Sequence, residues 1–87
     1  MDHQQAHLER LTTELHSRGF QTGLKRARRL LLHVTSPAAS ALNESVSCEQ
    51  HGDVWVFCWA SGQQIGPVES LSAVADRIQY VLREVET

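Results

Sequence analysis

Five histidines, two cysteines and one short run of basic residues are the side chains best equipped for chemistry in this 87-residue sequence. His3 and His7 stand four apart, on one face of any helix that contains them, and that spacing suits two metal ligands. A third ligand does not accompany them, so the pair reads as two surface helix residues. His33, Cys48, His51, Asp53 and Cys58 could gather on neighbouring strands. No CxxC or similarly close ligand spacing joins them, so they do not make a metal motif. Cys48 and Cys58 read as small buried hydrophobes rather than a disulfide. Serines are plentiful, but none sits in a GxSxG elbow. The segment Gly62-Gln63-Gln64-Ile65-Gly66-Pro67 carries glycines without the GK[ST] of a phosphate loop. Nothing here assembles a nucleophile, a base and an orienting acid, so the expectation is a protein that is not an enzyme and needs no cofactor.

Lys25, Arg26, Arg28 and Arg29 form the other chemical feature. Residues 1–35 hold six basic and three acidic side chains, while residues 36–87 hold two basic and seven acidic. Such a cluster can contact phosphates or another anion. It can equally be a set of edge charges that discourages strand-to-strand aggregation, which is the favoured reading. A third use is a cationic patch that meets the acidic half of a second copy or of a partner. The net charge of −2 argues against general nucleic-acid coating.

The elements that must position these residues follow from periodicity. Leu8, Leu11 and Leu15 recur at helical spacing and predict a helix from about Asp2 to Arg18. Asp2 and Gln5 can cap its start. Gly19 and Phe20 fit the C′ and C″ positions of a Schellman ending, with Phe20 packing back on Leu15. A strand is expected over roughly Arg26 to Thr35, since this segment is too short for a long helix and stops at Pro37. The connection 36–42 has room for one helical turn. A hairpin follows, with strands at 44–50 and 54–59 around His51-Gly52-Asp53. A short strand at Gln64-Ile65 is closed by Gly66-Pro67. Leu71, Val74, Ala75, Ile78, Val81, Leu82 and Val85 predict a last helix, from Val68 or Ser70 to Val85.

The order is α-β-β-β-(β)-α in a single domain over residues 1–87. It predicts an α+β two-layer sandwich, with a small antiparallel sheet of three to four strands and both terminal helices on one face. Hydrophobic residues are 41% and charged residues 21%, as in ordinary globular proteins. The longest apolar run, Val54 to Ala60, is far shorter than a membrane span. With no apolar leader near the start and only two cysteines, a cytoplasmic location is expected.

The strand 54–59 is apolar on both sides. Val54, Val56 and Cys58 alternate with Trp55, Phe57 and Trp59, so one set must point away from the helices. The hairpin register decides which. A three-residue turn pairs Gln50 with Val54, and a two-residue turn at Gly52-Asp53 shifts everything by one. The three-residue turn is favoured, which places Cys48 opposite Val56 and the two cysteines diagonally on one face. The leftover apolar face is either half covered by long side chains and the 36–43 connection, or used for binding. Binding is favoured, with Trp55, Phe57 and Trp59 as anchors and a homodimer as its simplest form. The expected function is therefore regulatory or accessory protein binding, to itself or to a partner. Nucleic-acid or anionic-ligand binding through Lys25, Arg26, Arg28 and Arg29 is the alternative.

The stretch Trp55-Val-Phe-Cys-Trp-Ala-Ser-Gly-Gln-Gln-Ile-Gly-Pro67, the helix ending Ala75-Asp-Arg-Ile-Gln-Tyr-Val-Leu-Arg83 and the segment Leu30 to Pro37 resemble small uncharacterised proteins of actinobacteria. The resemblance covers roughly residues 8–83. It implies a short intracellular chain with a regulatory or accessory role, and carries over no catalytic residue. In outline the element order is also similar to chaperone-like interaction folds of secretion and stress systems, a likeness at the level of fold alone.

Overall fold

The computed structural model describes residues 3–38 and 41–83. In chain order the elements are α1 (His3–Ser17), β1 (Gln21–Arg26), β2 (Leu30–Thr35), β3 (Asn43–His51), β4 (Val54–Trp59), β5 (Gln64–Pro67) and α2 (Leu71–Val81). The five strands form one antiparallel sheet in the order β1-β2-β3-β4-β5. Each strand pairs with the next in sequence, so every connection is short.

Helix α1 ends as its sequence requires. The Phe20 N–H donates to the Leu15 carbonyl at 3.1 Å and the Gly19 N–H to the His16 carbonyl at 3.0 Å. Gly19 has φ +88°, the left-handed conformation that a Schellman ending needs. Phe20 joins Leu15 in the core. The Asp2 cap lies outside the described residues. So do residues 39–40 of the connection, which is closed by the Ser36 N–H donating to the Leu42 carbonyl.

The expected single strand over 26–35 is instead a hairpin. Ala27-Arg28-Arg29 turns the chain, and β1 pairs with β2 from Gln21 opposite Thr35 to Arg26 opposite Leu30. An extra edge strand therefore precedes β2, making five strands rather than three or four.

Both helices lie on one side of the sheet. Leu8, Leu11 and Leu15 of α1 and Val74, Ala75 and Ile78 of α2 close one core with Leu30, Leu32, Val34, Val46, Cys48 and Phe57. Helix α1 packs against β1, β2 and β3, and α2 packs against β5 and α1. Arg18 binds Glu14 one turn back along α1 and, across the helix pair, Asp76 and Gln79 of α2. The Asp76 carboxylate is the main cause holding the Arg18 guanidinium above its ordinary pKa. Helix α2 is shorter than its apolar stripe suggests: Leu82 caps it, Val81 is exposed, and Val85 lies outside the described residues. No described helix is long and apolar enough to cross a membrane.

Candidate binding surface

The β3–β4 turn has two residues, Gly52 and Asp53, and His51 pairs with Val54. Only Gly52 takes positive φ, at +64°, as the first residue of a tight hairpin turn allows. This corrects the expected three-residue turn, and the one-residue shift reverses both faces of β4. Cys48 now faces Phe57, and Val46 faces Trp59.

Trp55, Phe57 and Trp59 therefore point toward the helices, not away from them. Phe57 is 0% exposed. Trp55 and Trp59 are half-buried at the two ends of the core. The imidazoles of His3 and His7 lie 6.0 and 5.5 Å from the Trp55 ring, both tilted to it. Burial is the first cause lowering the His7 pKa, with help from Arg10 and His3. Its Nδ1 is buried with no hydrogen-bond partner among the described residues. Trp59 lines a hollow of about 360 Å³ with Glu44, Ser61, Gln63 and Val81. These rings hold the layers together and do not form an exposed anchor patch.

The other face carries Lys25, His33, Ser45, Ser47, Glu49, Val54, Val56 and Cys58. No described helix packs on it, yet Ser47 and Cys58 are each only 1% exposed. Arg29 lies across this face beside Cys58. From the β1–β2 turn its guanidinium donates to Glu49 Oε1 at 3.2 Å and to the Ala60 carbonyl at 2.7 Å. The side chain thus straps β3 to the end of β4 over this face. The two cysteines lie on opposite faces, not diagonally on one. Burial pushes the Cys48 thiol up to about 12, with Glu49 and Cys58 adding to the rise. Burial, then Glu49, also raises the Cys58 thiol, against a lowering by Arg29.

The four basic residues do not share one surface. Alternation puts Lys25 on the uncovered face and Arg26 on the helix face, where Arg26 donates to Gln5 of α1. Arg28 is exposed in the turn, and Arg29 is strapped across the uncovered face.

The two edges of the sheet are not alike. At one end β5 has four residues, ends in Pro67, is joined to β4 through a register shift and has α2 packed against it. These are the devices by which proteins blunt an edge. At the other end β1 runs six residues in unbroken register, and five of them are exposed. Leu24, in its middle, is 42% exposed. Beside it Gly23, Leu24, Lys25 and His33 line a hollow of about 260 Å³. A Cβ on Gly23 would meet nothing within 4 Å, and Gly23 does not take positive φ. Neither backbone conformation nor packing within the chain calls for a glycine here. In a strand, glycine commonly marks a place where another backbone or a ligand approaches closely.

Sequence reading missed this edge because Gln21-Thr-Gly-Leu-Lys-Arg26 has one apolar residue among six. The signal that could have found it was Phe20, whose Schellman position frees the next residue to begin a new element.

Comparison with family models, with curated proteins and with solved structures gives no match for this chain.

Proposed function

We propose that this protein is a non-enzymatic protein-binding module and that its docking site is the β1 edge. The observation that carries the reading is the asymmetry of the sheet: one edge is shortened, bulged and covered by α2, and the other, though α1 touches it, is longer, in unbroken register and exposed at five of its six residues. An edge strand presents a row of unpaired N–H and C=O groups, and an extended segment that adds to it gains main-chain hydrogen bonds. The sequence around that row can supply selectivity. Leu24 offers an apolar contact on the helix face, and Lys25 offers positive charge on the other. A regulatory or accessory role in the cytoplasm fits such a module.

Binding of anionic ligands through Lys25, Arg26, Arg28 and Arg29 is the weaker proposal, because Arg29 is already engaged by Glu49 and the Ala60 carbonyl.

A photo-crosslinking amino acid at position 24 tests the docking edge in the protein's own host. The control site is Tyr80, exposed on α2. The expected result is a discrete protein adduct from position 24 and none from position 80. Equal labelling from both sites, or none from position 24, would overturn the assignment.

A further inference from the structure

We infer that the occupant of the β1 edge is a second copy of this chain, paired antiparallel β1 to β1 about a two-fold axis through Leu24. The inference rests on reading β1 as a docking edge and names what docks there.

Geometry restricts the pairing. Residues opposed across an antiparallel pair point to the same side of the sheet. A symmetric pair must therefore be centred on a residue, and the middle of β1 offers only Gly23 or Leu24. Centring on Gly23 would oppose two glycines and set Leu24 against Thr22, leaving the axis with nothing to pack. Centring on Leu24 makes three favourable matches at once. Leu24, the exposed apolar residue of the edge, meets itself on the helix face. Lys25 lies opposite the second copy's Gly23, and its aliphatic stem enters the hollow between Gly23 and His33. Arg26 lies opposite the second copy's Thr22, so no two like charges face each other directly.

The same register accounts for Gly23. With no side chain there, the Lys25 stem of the other copy can lie flat across the strand. A side chain at that position would find open space in the isolated chain but would fill the hollow in the pair. The product is a continuous ten-stranded sheet with the short, covered β5 at both ends. Its interface is confined to one strand from each copy, so the association is concentration-dependent rather than obligate.

Sedimentation velocity over a concentration series tests the pairing with the wild type, Leu24→Glu, Leu24→Lys and an equal mixture of the two variants. Circular dichroism checks that each variant is folded, as expected for an exposed position. The expected result is dimer formation by the wild type, its loss in each single variant through like charges opposed at the axis, and its return in the mixture. A wild type that stays monomeric at every concentration overturns the inference. So does a dimer that both variants leave intact, or one that the mixture fails to restore. Any of these failures leaves the docking edge to be judged separately: an adduct from position 24 with a different protein would keep that reading and assign the edge to another partner.

Discussion

Cys48 pairs across the β3–β4 hairpin with Phe57, and this single pairing sends Cys58, the next residue of β4, to the opposite face of the sheet. The sheet itself separates the two thiols. No internal disulfide should form under mild oxidation, and mass spectrometry should find two free thiols. Both groups are buried and hold their protons more tightly than an exposed thiol, so reaction with a disulfide reagent near neutral pH should be slow. The sign of the pH effect follows. A thiol raised from 9.0 to about 12 stays neutral in the fold while its unfolded counterpart ionises. The stability it contributes is complete below pH 9 and is lost as pH climbs toward 12. Urea titrations at increasing alkaline pH should show a falling midpoint, with a shallower fall in Cys48→Ala.

Arg29 makes a second, separable prediction. Its strap covers Cys58 but not Cys48, which faces the helices. Arg29→Ala should speed labelling of Cys58 and leave Cys48 as it was. Exposed ion pairs contribute about 0.2–1 kcal/mol, so the stability loss should be of that order. Arg29→Lys should protect only in part, because an ammonium cannot span two acceptors as a planar fork does. Equal acceleration at both cysteines would point to general loosening and contradict the strap.

His7 predicts an acid-sensitive contact. Its pKa lies below the ordinary imidazole value of 6.5, chiefly through burial. A depressed base favours folding while it is neutral, so its contribution is present above pH 6.5 and is lost as pH falls through the folded value. Trp55, which lies under both imidazoles, provides the probe. Thermal midpoints should decline on mild acidification, with Trp55 emission shifting to the red. His7→Phe keeps an aromatic ring on Trp55 and removes the titration, so its midpoint should depend less on pH. An unchanged slope in that variant would place the acid sensitivity elsewhere.

Gly19 and Phe57 set the scale of the fold's own requirements. Any side chain at Gly19 must adopt φ near +88°, at a cost of about 1–2 kcal/mol. Phe57→Ala opens the centre of the core and should cost about 3–5 kcal/mol, enough to unfold a chain of this size. Guanidinium titrations should therefore shift modestly for Gly19→Ala and show no cooperative transition for Phe57→Ala. Two comparable, small shifts would mean that β4 does not sit where its register places it.

Much of this architecture can be read from local signals. The helix ending at Gly19-Phe20, the stripe Leu8-Leu11-Leu15 and the β3–β4 hairpin each declare themselves through spacing or a special backbone position. Two features do not. Strand β1 is an exposed edge, so no apolar alternation marks it, and its turn at Ala27-Arg28-Arg29 contains neither glycine nor proline. The hairpin register rests on whether His51 belongs to the turn or to the strand. Residues 51–53 suit both choices, and the difference of one residue carried Trp55, Phe57 and Trp59 to the wrong face. The candidate site was hidden for the same reason. Once the aromatics turn inward, the surface that remains is defined by backbone groups and by a glycine.

Amide hydrogen exchange along β1 tests the pairing of two copies at this edge most directly. The chain would be followed residue by residue at low and high protein concentration. Amides of β1 that point outward from the sheet should exchange rapidly when dilute and gain protection as concentration rises, while β5 stays unchanged. Protection that rises at β5 or on α2, with β1 exchanging at one constant rate throughout, would contradict the account.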